Sequence, residues 1–249
     1  MICAGNWKMN MSPEQAVAFA RGLKAAVPAA SKADFVVLPP ALLAAQVAAE
    51  LKGSGVAWGA QNCYFESKGA FTGENSPQLL QEMGAGYCLV GHSERRHVFG
   101  EADEVLGKKV PALQALGLTP ILCVGETLDD RRWNRTQEVI TRQLRAGLKA
   151  ADSTKKMWIA YEPVWAIGTG LVATPEQVMD AHGLLRSALR EWSANSGGAL
   201  PILYGGSVKS DNAGSLCGLA NVNGFLIGGA SLDLQEFLKI HAVSLSHAN

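Results

Sequence analysis

The sequence predicts a closed (β/α)8 barrel in which eight parallel strands are ringed by helices. Short apolar runs alternate with longer amphipathic stretches from one end of the chain to the other, and there are eight such runs. Each run is continuously apolar, which is typical of parallel strands that are covered on both faces. Eight strands, each followed by a helix, are the number that closes such a barrel.

Each predicted strand ends where a glycine, a proline or a charged side chain interrupts the apolar pattern. Helix signals lie between the strands. Residues 12–15 and 174–177 each combine a Ser or Thr N-cap, a proline at the first helical position and a glutamine two residues later. The apolar residues of 136–148 fall on one helical face. The eight predicted strands are 2–4, 35–38, 56–58, 87–90, 118–124, 157–161, 200–204 and 225–227.

Composition limits the function classes. The chain has 249 residues, is 48% hydrophobic and carries 22 basic and 22 acidic side chains. This length suits a single barrel, and no linker or low-complexity segment divides it, so we expect one domain over residues 1–249. The zero net charge argues against nucleic acid or an anionic membrane as the main partner.

The cysteines and the N-terminus indicate a cytoplasmic protein. The five cysteines are odd in number and never form a C-x-x-C pair, which favours reduced, buried thiols. The chain starts without an apolar targeting segment and contains no apolar span of 18 residues.

In a barrel of this kind the chemistry gathers where the strands end, so the residues after each apolar run are the candidates. Glu162 follows the sixth run directly, and a carboxylate there is costly unless it is paired or used. Pro163 stiffens the start of an apolar loop that ends in Gly168-Thr169-Gly170. We expect this loop to be a lid with exposed backbone N–H groups, the alternative being a plain strand cap and turn.

Two further strand ends carry candidate groups. Asn6 and Lys8 follow the first run, where the lysine is either a surface charge or a fixed cation facing an anion. His92 follows the fourth run, before a helical turn that Ser93 is expected to cap, and the helix dipole would keep its imidazole neutral. The alternative for His92 is a packed structural histidine.

The residues after His92 predict structure rather than metal binding. Glu94 and Arg95 are expected to form a supporting ion pair beneath the site. The spacing H-E-x-x-H is absent and no third ligand is evident, so no metal site is predicted.

Glycine clusters after the last two strands predict an anion site. Gly205 and Gly206 precede Ser207, and Gly228 and Gly229 follow the eighth run. Such loops let backbone N–H groups approach a phosphate, and in barrels phosphates commonly bind between loops seven and eight. Ordinary strand-to-helix turns are the alternative. Residues 168–173 match the dinucleotide pattern G-x-G-x-x-A, but they lie seven residues after the strand, which argues against that function.

Five strings together resemble the triosephosphate isomerase family. They occur in the family's order and span nearly the whole chain: GNWKMN at 5–10, GHSER at 91–95, YEPVWAIGTG at 161–170, YGGSVK at 204–209 and GGASL at 228–232. The resemblance implies interconversion of dihydroxyacetone phosphate and glyceraldehyde 3-phosphate, without a metal or an organic cofactor.

The resemblance also implies roles for individual residues. Glu162 would be the base, neutral His92 would polarise the carbonyl, and Lys8 with Asn6 would stabilise an enediolate. Backbone N–H groups would hold the phosphate, at Gly168, Ser207, Gly228 and Gly229.

A loop after the third strand resembles the family's dimer loop. Phe71 and Thr72 would therefore dock onto a second subunit near Asn6, Lys8 and Glu94, whereas the alternative is a solvated loop.

Two departures and two alternative functions remain. Leu171 stands where many family members have lysine, and Asn223 where aspartate is usual, so lid closure and the partner of Arg186 are expected to differ. A phosphate-binding barrel without catalysis and a nicotinamide-dependent oxidoreductase built on Gly168-Thr169-Gly170 are the competing hypotheses.

Overall fold

The structure, a computed structural model, describes residues 1–29, 35–169 and 171–247. The strands form one closed, all-parallel barrel in which each strand pairs with the next along the chain and the last pairs with the first. The predicted (β/α)8 barrel is confirmed. The strands are β1 (Ile2–Asn6), β2 (Phe35–Leu38), β3 (Ala57–Ala60), β4 (Tyr87–Val90), β5 (Thr119–Val124), β6 (Trp158–Tyr161), β7 (Ile202–Tyr204) and β8 (Gly224–Ile227).

Helices surround the barrel, and the two predicted start signals are confirmed. The Ser12 and Thr174 hydroxyls each accept a backbone N–H three residues ahead, at 3.3 Å. The predicted helix 136–148 is found with the same bounds. The α-helices are α1 (Pro13–Ala26), α2 (Ala41–Leu51), α3 (Pro77–Glu82), α4 (Ser93–His97), α5 (Asp103–Ala115), α6 (Leu128–Arg132), α7 (Thr136–Leu148), α8 (Pro175–Trp192), α9 (Ala213–Cys217) and α10 (Leu234–His247), and two short 3-10 helices span Val164–Ala166 and Gly229–Leu232.

The apolar side chains form two separate layers because successive residues of a strand point to opposite faces. One layer fills the space between the strands and the helices. The other fills the barrel interior, where small alanines lie among larger side chains. The interior set comprises Ala4, Val36, Leu38, Leu89, Ile121, Cys123, Trp158, Ala160, Leu203 and Leu226.

Two strands run further than the apolar pattern predicts. β1 continues to the polar Asn6, and β3 continues through Gly59 to Ala60. A Cβ atom at Gly59 would collide with the backbone of Tyr87 in the neighbouring strand. Glycine therefore allows β3 and β4 to pair closely at a point where the sequence pattern suggested a turn.

The five cysteines are all buried free thiols. This agrees with the buried, unpaired cysteines that their number and spacing predict. Among the described residues, no helix has both the length and the apolar character that crossing a bilayer requires.

Candidate active site

Strand alternation brings polar side chains to the C-terminal mouth of the barrel. Positions two residues beyond an interior residue face the same side of the sheet. Asn6 follows the interior residue Ala4 in this way, and Glu162 follows Ala160. Both polar residues are buried, with 4% and 2% of their surface exposed. The barrel therefore directs an amide and a carboxylate toward the same space.

Glu162 and His92 are in direct contact across this mouth. Nε2 of His92 lies 3.0 Å from Oε1 of Glu162, and the backbone N–H of Ser93 donates to Oε2 at 2.8 Å. The backbone N–H of Glu94 donates to Nδ1 of His92 at 3.2 Å. Nδ1 is therefore an acceptor, which leaves the proton of a neutral ring on Nε2, the nitrogen that faces Glu162.

The N-cap of α4 differs from the sequence expectation by one residue. His92 is the cap and Ser93 is the first helical residue, so the expected cap at Ser93 is wrong. The reason is that the imidazole Nδ1 takes the role that a serine hydroxyl was expected to fill. The N–H of Ser93 is thereby free to bind the Glu162 carboxylate.

The same contact shifts the pKa values of both side chains. Burial raises the pKa of Glu162, but the charge and hydrogen bond of His92, with the N–H of Ser93, lower it by more, and the net shift is downward. Burial lowers the pKa of His92, but the Glu162 carboxylate raises it by more. The carboxylate is therefore held ionised at neutral pH. A molecule inserted between the two groups would remove the main cause of the upward shift at His92.

Lys8 is held in a strained conformation that aims its ammonium group into the mouth. Its φ of 52° lies in the left-handed region, which costs about 1 kcal/mol or more for a residue with a side chain. Two side chains hold this conformation: Oδ1 of Asn6 accepts the Lys8 N–H at 3.1 Å, and Nε2 of Gln61 donates to the Lys8 carbonyl at 2.8 Å. Nζ of Lys8 donates to Oε1 of Glu94 at 2.6 Å. A Cβ atom at Gly228 would lie 4.0 Å from the same Nζ, so the ammonium group is close to the glycine loop.

One cavity of about 530 Å³ lies between these groups and the glycine loops. The structure brings together in its lining all the residues that the sequence assigned to catalysis or phosphate binding. They are Asn6, Lys8, His92, Glu162, Gly168, Ser207, Gly228 and Gly229. Across the part of the chain that the structure describes, no group of three His, Cys, Asp or Glu side chains is arranged to hold a metal ion.

The first half of the expected lid is a 3-10 helix, Val164–Ala166, that is anchored from below. Nε1 of Trp165 donates to Oε1 of Glu126 at 2.9 Å, and the Tyr161 hydroxyl donates to the same atom at 3.0 Å. Nη1 of Arg131 completes the set at 3.0 Å. Glu126 is fully buried, and these three donors supply hydrogen bonds that a buried carboxyl group requires.

The second half of the expected lid is exposed. Gly168 is exposed and has a φ of 69°, a conformation that suits glycine. The Thr169 hydroxyl donates to the carbonyl of Trp165 at 2.8 Å, which closes a turn. Leu171 is 50% exposed, and Gly170 lies outside the described residues. In the apolar part of the loop Ala166 is buried and its neighbours are half-buried, whereas the far part faces solvent.

The expected ion pair between Glu94 and Arg95 is wrong. Glu94 binds the ammonium group of Lys8, and Nη2 of Arg95 donates to Oε1 of Glu101 at 2.7 Å. Adjacent residues on a helix point in different directions, so they find separate partners. Glu94 therefore contacts the candidate site through Lys8, and Arg95 does not.

Sequence reasoning missed Glu126 and Gln143. Glu126 follows the fifth apolar run after one glycine, so the strand-end rule that selected Glu162 could have found it. Gln143 lies on the buried face of α7, where Oε1 accepts the Gly125 N–H at 2.8 Å and Nε2 donates to the Gly125 carbonyl at 3.1 Å. Gly125 leaves no room for a Cβ atom against the backbone of Glu162. A polar residue on an apolar helical face was the available signal.

Comparison with known proteins decides the family. The sequence profile described as "Triosephosphate isomerase" matches residues 1–244. This chain belongs to the triosephosphate isomerase family. It is therefore an isomerase, and the resemblance seen in its motifs is confirmed.

Curated relatives named triosephosphate isomerase cover nearly the whole chain. The chain is 48% identical to the protein of that name from Bdellovibrio bacteriovorus, over 97% of this chain and 99% of the relative. It is 46% identical to the one from Endomicrobium trichonymphae, over 96% of each. It is 42% identical to the one from Aquifex aeolicus, over 96% of this chain and 97% of the relative.

Proposed function

We propose that this isomerase interconverts dihydroxyacetone phosphate and D-glyceraldehyde 3-phosphate through an enediolate, with Glu162 as the base. The observation that carries the proposal is the single cavity in which Glu162, His92 and Lys8 face the glycine loops. A carboxylate, an imidazole and an ammonium group suit proton transfer beside a carbonyl, and loop N–H groups suit a phosphate.

Glu162 removes the carbon-bound proton and returns it to the neighbouring carbon. Its lowered pKa keeps it ionised at neutral pH, and its burial removes the water that would otherwise solvate it. Substrate would replace His92 and the N–H of Ser93 as its neighbours. Gly125 lies close to the backbone of Glu162 and Gly205 lies close to its side chain, so both glycines restrict the position of Glu162.

His92 acts as a neutral hydrogen-bond donor to the substrate carbonyl. The N–H of Glu94 points at Nδ1, so it opposes protonation of that nitrogen, and Nε2–H faces the cavity. An uncharged donor can polarise the carbonyl and pass protons between the two substrate oxygens. Lys8 and Asn6 stabilise the negative charge that develops there.

The phosphate is held by backbone N–H groups of Gly168, Ser207, Gly228 and Gly229, all of which line the cavity. The loop that follows Glu162 then excludes water. Exclusion matters because an enediolate exposed to solvent would lose its phosphate. Neither a metal nor an organic cofactor is needed for this sequence of proton transfers.

A coupled assay in both directions on the purified protein tests the proposal. Glu162→Asp draws the carboxylate back by about 1 Å and should lower turnover on the order of 100-fold. Turnover that matches the parent would reject Glu162 as the base.

Two binding measurements address the competing functions. A catalyst should bind an enediolate mimic much more tightly than substrate, whereas equal binding would indicate a phosphate-binding barrel without catalysis. Fluorescence titration with reduced nicotinamide cofactor should show no saturation, and saturable binding would favour the oxidoreductase.

We also propose a homodimer formed through the loop that contains Phe71 and Thr72. Both residues are exposed, and the Phe71 ring is supported by Tyr64, with ring centroids 4.4 Å apart. A second cavity of about 460 Å³ adjoins the active site. The apolar side chains of Met9 and Phe99 line it, and they are 95% and 65% exposed. An apolar surface of this kind suits a partner's loop.

Sedimentation tests the dimer with a matched pair of variants. Thr72→Glu places a charge in the proposed contact and should yield monomers with reduced turnover. Ser67→Glu adds the same charge elsewhere on the loop and should stay dimeric. A fully active monomer of the parent protein would contradict the proposal.

A further inference from the structure

The proposed phosphate site is bordered on two sides by loops that follow different strands, and we call these two sides its rims. Ser207 lies on the loop after β7, and Gly228 with Gly229 lies on the loop after β8. Strand pairing ends at Tyr204 and Phe225, before either rim begins. Since both rims must contact one phosphate, their separation needs to be set by something other than the sheet.

Glu236 spans the gap between the two loops. It lies in the first turn of α10, where its carboxylate accepts the backbone N–H of Ser210 at 2.7 Å and the Ser210 hydroxyl at 3.0 Å. Ser210 belongs to the loop after β7, so both carboxylate oxygens reach across to the opposite rim. Glu236 also lines the active-site cavity.

This reach departs from the usual behaviour of a carboxylate at this helical position. Oδ1 of Asp233 accepts the N–H of Glu236 at 2.8 Å, so Asp233 caps the helix and Glu236 is its third residue. A glutamate there commonly turns back to the N–H of the capping residue. Here both oxygens bind Ser210 instead, so the side chain joins two loops rather than closing its own helix turn.

Asn212 carries the connection from Ser210 to the phosphate rim. Its Oδ1 accepts the N–H of Lys209 at 2.8 Å, and its Nδ2 donates to the carbonyl of Ser207 at 3.1 Å. These hydrogen bonds connect the two ends of the loop from Ser207 to Asn212. An interaction that fixes the position of Ser210 therefore also restricts the position of Ser207.

We propose that Glu236 is a positioning residue of the phosphate site, acting through Ser210 and Asn212 to hold the Ser207 amide opposite Gly228 and Gly229. This inference rests on the proposed function. The charge of Glu236 opposes a bound phosphate, because like charges in one cavity repel. Its contribution is therefore the geometry of its hydrogen bonds rather than its charge.

Two substitutions separate geometry from charge. Glu236→Ala removes both hydrogen bonds. Glu236→Gln keeps them, because its carbonyl can accept the Ser210 N–H and its amide can donate to the Ser210 hydroxyl. Glu82→Ala removes an exposed carboxylate that is not in the lining of the active-site cavity and serves as the control.

The readouts are the inhibition constant of inorganic phosphate, KM and kcat. Glu236→Ala should raise the inhibition constant and KM by about tenfold each, since the rims lose preorganisation, while kcat stays within about threefold. Glu236→Gln should bind phosphate as tightly as the parent or more tightly. Asn212→Ala should weaken phosphate binding in the same direction, which provides a second test if Glu236→Ala folds poorly.

Two outcomes would overturn the inference. One is an unchanged phosphate inhibition constant in a folded Glu236→Ala protein, with only the melting temperature lowered. The other is a Glu236→Gln protein as impaired as Glu236→Ala. Calorimetric titration with inorganic phosphate needs no turnover. A protein that shows the expected binding pattern without isomerising triose phosphates would reject the proposed function and support this inference.

Discussion

Two buried polar clusters in this barrel are built on opposite principles. At the mouth, Nε2 of His92 contacts the carboxylate of Glu162, and both side chains border an open cavity. Where α8 packs on the segments that precede β7 and β8, the hydrogen bonds of His182 and Arg186 within the described residues go to neutral oxygens. Nδ1 of His182 lies 3.0 Å from the carbonyl of Asn221, and Arg186 donates to backbone carbonyls and to asparagine oxygens.

The pKa values of the two histidines show what this difference means. Burial, together with the nearby charge of Arg186, lowers the pKa of His182 to about 4 against the opposing effect of its hydrogen bond to the backbone of Asn221. Burial acts on His92 in the same direction, but the Glu162 carboxylate reverses the net shift. The partner of a buried histidine and its access to the cavity therefore identify it as a candidate catalytic group in this fold. Burial without such a partner is typical of a structural histidine.

The largest expected effect is at Glu162. Glu162→Gln keeps an acceptor for the Ser93 N–H but removes the base, so turnover should fall by roughly 10³- to 10⁴-fold. The inhibition constant of inorganic phosphate should not change, because the phosphate loops are untouched. A coupled assay with phosphate as a competitive inhibitor measures both, and a loss of less than about tenfold would contradict the assignment of the base.

A smaller loss of turnover is expected at His92. His92→Gln retains a donor and an acceptor of similar reach but cannot exchange protons at neutral pH, so kcat should fall by about 100-fold. The matched control is His97→Gln, which alters an exposed histidine at the far end of the helix that His92 caps. Equal activity of the two variants would contradict a catalytic role for His92, because an imidazole at the cavity would then matter no more than one outside it.

The cluster of His182 and Arg186 should affect the stability of the protein and not its turnover. Above pH 6.5 both folded and unfolded chains hold a neutral His182. Below pH 6.5 His182 becomes protonated in the unfolded chain, whereas in the folded chain it stays neutral until about pH 4. Unfolding free energy should therefore drop by about 3 kcal/mol as pH falls through this window.

Urea unfolding at several pH values checks this prediction. His182→Gln should be less stable at pH 7, because it loses the contact with Asn221, yet it should show a shallower loss toward pH 4. Its kcat at pH 7 should lie near that of the parent. Identical slopes for the two proteins would exclude His182 as the acid-sensitive group.

The smallest expected effect is at Asn223, which supplies a neutral partner to Arg186. Oδ1 of Asn223 accepts from Nη2 of Arg186 at 3.3 Å and from the N–H of Ile202 at 2.9 Å. Asn223→Asp keeps the acceptor and adds a charge, so unfolding free energy should rise by about 1 kcal/mol at pH 7. The gain should vanish at pH 3, when the new carboxyl is protonated. A lower melting temperature at pH 7 would show that burial outweighs the added attraction.

Much of the site could be predicted because its signals are local. Glu162, His92 and Lys8 each stand just past the end of a strand, and glycine pairs mark both phosphate loops. The partners were harder to predict. Glu94 was expected to bind Arg95 and binds Lys8 instead, and Glu236 was not selected because its partner Ser210 lies 26 residues away.

The sequence by itself determined the number and order of the strands, the helix starts at Ser12 and Thr174, and which side chains follow each strand. These features depend on the spacing of apolar residues, on local capping residues and on the fixed alternation of a strand. The tertiary structure alone decided which of those side chains meet. Barrel closure sets the distances between loops that are far apart in sequence, and the partner of a buried charge depends on those distances. The two buried histidines, His92 just past β4 and His182 inside α8, accordingly differ in their partners, which are a carboxylate for His92 and a backbone carbonyl for His182.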